Sequence, residues 1–130
     1  MGLSGETYPD RYKGGEFGLW EEVPHISNYL VPQECGNHMN TYWARLSMDH
    51  AKIWIEMKHK PFHFSAIPYT PAQLEQAFHK EELPKPTRTV VTVAGAMRGV
   101  GGIDTWGNDV EAPYHVSAEH DMEFSFRIRI

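Results

Sequence analysis

The sequence predicts an all-β fold, an antiparallel β-sandwich with one short helix. Apolar and polar residues alternate with period two through most of the ordered stretches, glycine and proline cut these into short runs, and only one segment carries a helix-start signal. The 130 residues fit one domain spanning residues 1–130. A chain of that size is expected to bury roughly two thirds of its unfolded surface.

Alternation places strands near Ile26 to Val31, His38 to Met48, Ala51 to Met57, Pro61 to Ile67, Arg88 to Ala94 and Tyr114 to Ser117. Asp49-His50 is expected to join two of them as a tight hairpin. The clearest pattern comes last. Met122, Phe124, Phe126, Ile128 and Ile130 alternate with Glu123, Ser125, Arg127 and Arg129, which predicts a strand with one buried face. The helix starts at Thr70-Pro71-Ala72-Gln73, with Thr70 as N-cap, Pro71 at the first helical position and Gln73 closing a capping box. It is expected to run near 71–79 and to place Leu74, Ala77 and Phe78 on one face. Glu81 to Pro86 then serves as a linker. Tyr8, Trp20, Tyr29, Tyr42, Trp43 and Trp54 lie in or beside strand-like runs and read as core or core-edge aromatics.

Composition narrows the function classes. A net charge of −5, spread along the chain, points away from nucleic acid. No apolar run is long enough to span a bilayer and no signal peptide opens the chain, so the sequence reads as that of a soluble protein, cytoplasmic or periplasmic, without a membrane partner. The single cysteine, Cys35, excludes an internal disulfide. Gly5 to Arg11 resembles the middle of a structured segment, so the chain is expected to be a piece of something larger.

Catalytic and metal motifs do not emerge. His59 and His63 are separated by Pro61, which breaks a helix, and on a strand they lie about 13 Å apart, too far to share a metal. The acidic pairs Glu21-Glu22 and Glu81-Glu82 are sequence neighbours, which do not face one another across a substrate. The serines lack a nucleophile-elbow context, and Cys35 sits beside Glu34 with no evident base.

One loop stands apart. Gly99-Val100-Gly101-Gly102-Ile103-Asp104-Thr105-Trp106-Gly107-Asn108-Asp109 hangs an indole among glycines and turn-forming polar residues. Such a loop carries function more often than packing, and an indole face suits the C–H faces of sugars. Trp106 is therefore either a ligand-stacking residue or a lid over one end of the sandwich.

Three segments, Glu6-Thr7-Tyr8-Pro9-Asp10-Arg11, Tyr29-Leu30-Val31-Pro32-Gln33-Glu34-Cys35-Gly36-Asn37 and Gly99 to Trp106, resemble in order and spacing the carboxy-terminal (domain 5, small-chain) region of bacterial glycoside hydrolase family 2 β-galactosidases. Thr7 stands where that family commonly has asparagine, and His38 to Trp43 replaces a stretch that usually carries an arginine. The resemblance implies a fragment of a galactose-mutarotase-like supersandwich, with the catalytic glutamates in a TIM barrel elsewhere and no catalytic residue in this chain. It implies that Trp106 binds substrate and that Gly99, Gly101, Gly102 and Asp104 shape its loop. It further implies no cofactor in this chain, Mg and Na being held elsewhere in the parent enzyme. Its implied partners are a terminal β-D-galactoside such as lactose and the remainder of the β-galactosidase. Self-association of the fragment is expected from the sandwich edges it exposes. Two other readings stay open: a freestanding carbohydrate-binding module and a structural interaction domain.

Overall fold

All residues 1–130 are described by the structure, a computed structural model. The strands are β1 (Gly2–Leu3), β2 (Phe17–Gly18), β3 (His38–Thr41), β4 (Trp43–Met48), β5 (Ala51–Met57), β6 (Phe62–Ile67), β7 (Val90–Ala94) and β8 (Phe126–Arg129), with the helix α1 (Pro71–Gln76) between β6 and β7. They form a two-stranded β1–β2 ribbon and two antiparallel three-stranded sheets, ordered β3–β6–β7 and β4–β5–β8. This is the predicted all-β sandwich with one short helix.

The segment 38–48 is not one strand but two, in different sheets. Asn40 adopts a left-handed φ of 52° and β3 is irregular against β6, so the chain turns at Tyr42 and crosses from one sheet to the other. Tyr42 is bonded on both sides of this turn: its N–H donates to Met1 O at 2.9 Å, and its carbonyl accepts from Met57 N at 2.8 Å. The Asp49-His50 turn is as expected, with Met48 paired to Ala51 across it.

In the β4–β5–β8 sheet, register decides which residues share a face. Ala44, Ile55 and Ile128 form one apolar row, buried at Ala44 and Ile55 and exposed at Ile128 on the edge strand, and Met57 pairs with Phe126. Phe62 of the other sheet is 2% exposed and lies 6.5 Å, centroid to centroid, from Phe126. The opposite face carries Arg45, Trp54 and Arg129 in one row, with the guanidinium carbons 5.5 and 5.6 Å from the Trp54 ring. Arg129 also binds Glu56, its Nε to Oε2 at 3.0 Å.

α1 begins as predicted. Thr70 Oγ1 accepts from Gln73 N at 3.3 Å and Thr70 N donates to Gln73 Oε1 at 3.0 Å. It ends at Gln76, short of the expected His79, because Ala77 is extended and a 3-10 turn starts at Lys80. Leu74 and Ala77 are buried, Leu74 in a cluster with Cys35, Ile67 and Tyr69. Phe78 is exposed rather than sharing their face, because the helix has already ended before it.

Other expectations are corrected. Residues 26–31 form no strand: Pro24 and Pro32 flank the segment, Ser27 and Tyr29 are drawn to the Glu6 carboxylate, and Ile26 packs against the Cys35 cluster. Residues 114–117 form no strand either, since Pro113 sits in a 3-10 turn over Ala112–Tyr114 and the Tyr114 carbonyl is taken by Gly99 N. Of 122–130 only Phe126–Arg129 pairs, and its apolar residues do not make the expected buried face, since Ile128 and Ile130 are exposed. Trp20, Tyr29 and Tyr42 are surface aromatics, while Tyr8 is buried and Trp43 and Trp54 are half-buried.

The accessible surface is 9581 Å², whereas a compact monomer of this mass shows roughly 7,000 Å². Burial on folding is therefore nearer one half than the expected two thirds. A cleft of about 770 Å³ opens between the sheets, lined in part by Leu46, Met48, Ile53, Phe64 and Val91. β8 pairs with β5 on one side only. No helix is long and apolar enough to cross a membrane.

Candidate functional site: the Trp106 loop

Trp106 is 89% exposed, the most exposed of the four tryptophans. Its loop is nevertheless built by specific bonds. Asp104 Oδ1 accepts from Trp106 N at 2.9 Å and from Asn108 N at 3.4 Å, and Asp104 Oδ2 accepts from the Asn108 amide, an Asx-type turn closing at the Trp106 backbone. These bonds, that of the Trp106 amide foremost, hold the Asp104 carboxyl below its ordinary value against an opposing desolvation.

The root of the loop is fastened by Asp10 and Arg11, whose part in it no local sequence pattern marks. Asp10 Oδ1 accepts from Val100 N at 3.0 Å and Oδ2 from Gly101 N at 2.8 Å, while Arg11 Nη2 donates to Gly101 O at 2.5 Å. Two successive N–H groups thus cradle one carboxylate. Gly99 is required by this approach: a Cβ there lies 2.8 Å from Asp10 Cγ and 2.9 Å from Tyr114 Cβ. Gly101 and Gly102 each have a φ of 71°, which favours glycine. On the far side Val110 is buried under Gly101, the Arg98–Asp109 ion pair ties the two arms, and a ring nitrogen of His115, Nε2, lies 2.6 Å from Val110 O.

The same short segment reaches the second motif. Glu6 accepts from the Ser27 hydroxyl, and from Tyr29 Oη at 2.9 Å. Thr7 N donates to Asn37 O at 2.7 Å, and Asn37 Nδ2 returns a bond to Thr7 O at 2.7 Å. Residues 6–11 are therefore the junction at which the three separated segments meet. Sequence separation of 90 residues between Arg11 and Gly101 hides this contact. The sole signal in the sequence was that the segments occur together.

Partial burial pushes the Glu6 carboxyl up, but bonds from Ser27 and Tyr29, with the Gly36 amide and Tyr8, hold it below its ordinary 4.5. A carboxyl depressed in the folded state stabilises fully above its unfolded pKa, and that stabilisation is lost as pH falls through the folded value. Wild type is expected to unfold at a lower temperature as pH drops below about 4.5. Glu56, Glu82, Asp10, Asp104 and Asp109 are also depressed, so acid acts at several sites. The Glu6 share is isolated by Glu6→Gln, whose deficit in melting temperature should be largest near pH 7 and shrink toward pH 3. A deficit independent of pH excludes it.

No group of three or more His, Cys, Asp or Glu is arranged to hold a metal ion. His63 is partly buried, which pushes its pKa down, and its Nδ1 faces Asn37 Nδ2 at 3.4 Å.

Fold and loop together define an all-β sandwich module bearing an ordered, exposed aromatic loop. The chain belongs to the β-galactosidase small-chain family, whose family model, described as "Beta galactosidase small chain", matches residues 1–128. It is similar to a β-galactosidase small subunit of Latilactobacillus sakei, 48% identical over 98% of this chain and 44% of the relative. It is also similar to β-galactosidases of Halalkalibacterium halodurans, 37% identical, and Streptococcus thermophilus, 36% identical, in each case over 95% of this chain and 12% of the relative. The chain spans less than half of the small subunit and about an eighth of the longer enzymes.

Proposed function

We propose that the chain is an accessory sandwich domain of a β-galactosidase that presents Trp106 to a terminal β-D-galactoside, lactose-like, in a site whose reactive groups lie outside residues 1–130. The observation that carries this reading is an indole held 89% exposed on a loop fastened at both its tip and its root. Displaying bare indole to water has no folding benefit, while ordering the loop beforehand lowers the entropy lost on binding. Stacking on a sugar face adds on the order of 1 kcal/mol once desolvated, about fivefold in affinity.

The excess surface and the open cleft support a domain that is part of a larger sandwich, completed by the remainder of the enzyme. The same unpaired β8 edge supports self-association of the chain when it is alone. A structural role is favoured by one observation, that Val100 and Ile103 of the same loop are exposed as well as Trp106, apolar side chains that a neighbour could cover.

In the assembled enzyme, Trp106→Phe is expected to raise the KM for lactose several-fold and to reduce transfer to acceptor sugars, with the folding midpoint unchanged. Unchanged kinetics toward lactose and acceptors would remove the sugar platform. Burial of the indole in the assembled enzyme without sugar, read by fluorescence quenching, would select the structural role. Saturable binding of lactose to the isolated chain would instead select a freestanding module.

A further inference from the structure

We infer that Asp10 and Arg11 are positioning residues for Trp106, setting where the indole stands by fastening both polar groups of the Gly101 peptide region at the loop's root. The carboxylate takes two successive amides, Val100 N and Gly101 N, at 3.0 and 2.8 Å, and the neighbouring guanidinium takes the Gly101 carbonyl. Bonds on both sides leave that residue little freedom to rotate. Since Gly101 and Gly102 both sit at left-handed φ, the backbone could otherwise swing through conformations open to glycine alone. Asp104 orders the tip but bonds only within residues 104–108. Asp10 and Arg11 instead connect the loop's beginning to a segment fixed to the sandwich by Thr7 and Asn37.

Gly99 supplies an independent sign of the same design. Its hydrogen stands where a side chain would strike the Asp10 carboxyl group, so the loop's first glycine and this acid are mutually fitted. The kinetic consequence rests on the proposed sugar platform; the structural one does not.

The test has two arms. In the full chain, Asp10→Asn keeps the shape of the side chain but offers one acceptor where two amides need one each. Amide hydrogen exchange at Val100 and Gly101 is expected to accelerate at least tenfold while Ile53 and Ile55 in β5 keep their rates. Asp10→Ala is expected to do the same, and unchanged exchange at both amides in both variants overturns the proposal. In the assembled enzyme, Asp10→Asn is expected to raise the KM for lactose several-fold with a smaller change in kcat. Adding Trp106→Phe to it should change little further, because both act through one indole. Fully additive effects overturn action through Trp106. Should Trp106→Phe alone leave the kinetics unchanged, the platform reading falls, and accelerated exchange still supports Asp10 as the holder of the loop.

Discussion

Phe62→Ala is expected to lower the unfolding free energy by about 3–5 kcal/mol, the usual cost of emptying a fully buried aromatic site. Phe62 and Leu74 are the largest fully buried side chains, in a chain where only 18 of 130 residues are fully buried, so Phe62 is a large share of the core. Phe62 also joins the layers. It belongs to β6 yet meets Phe126 of β8, 6.5 Å away, and Phe64 at the same distance on its own sheet. Domains of this size hold about 5–15 kcal/mol in total, so the variant retains a small margin or none. Urea denaturation followed by near-ultraviolet circular dichroism measures the loss. A change under about 1 kcal/mol would mean that the sheets are held together elsewhere.

Gly99→Ala is expected to cost about 1–3 kcal/mol, the range for inserting a methyl group into filled space. The added carbon meets Asp10 Cγ at 2.8 Å, Asp10 Oδ2 at 2.9 Å and Tyr114 Cβ at 2.9 Å. Neither neighbour gives way freely. Asp10 is held by two amides, and Tyr114 is tied by its carbonyl to Gly99 N itself, at 2.9 Å. Relief requires moving the carboxylate, which also releases the Trp106 loop. Thermal unfolding should show the loss, and the variant should share the accelerated exchange at Gly101 expected of Asp10→Asn. A wild-type melting temperature would show that the loop shifts without cost.

Local signals translated well where the cause of structure is local. Thr70, Pro71 and Gln73 determine the start of α1 by capping chemistry confined to four residues, and the Asp49-His50 turn needs only its flanking strands. The end of α1 was less legible, since Phe78 has the right spacing but the chain leaves the helix at Ala77. The alternation of 122–130 predicts a strand over the whole segment, of which only Phe126–Arg129 pairs, because alternation says which residues share a face and not whether another layer covers it. Segment 26–31 failed for the opposite reason. Its side chains satisfy themselves on Glu6 and on the Cys35 cluster rather than in a ladder.

The loop illustrates the same division. Its turn residues, its glycines and the oddity of Trp106 among them are visible in the sequence, because backbone freedom and turn chemistry belong to individual residues. Period-two patterning and capping likewise determined by themselves that the chain is all-β with one short helix. Only the tertiary structure decided that the chain splits at Tyr42 between two sheets, that an apolar face is left uncovered, and that Asp10 and Arg11 reach across 90 residues to hold Gly101. The physical reason is that such contacts depend on where distant segments are brought in space, which no local propensity encodes.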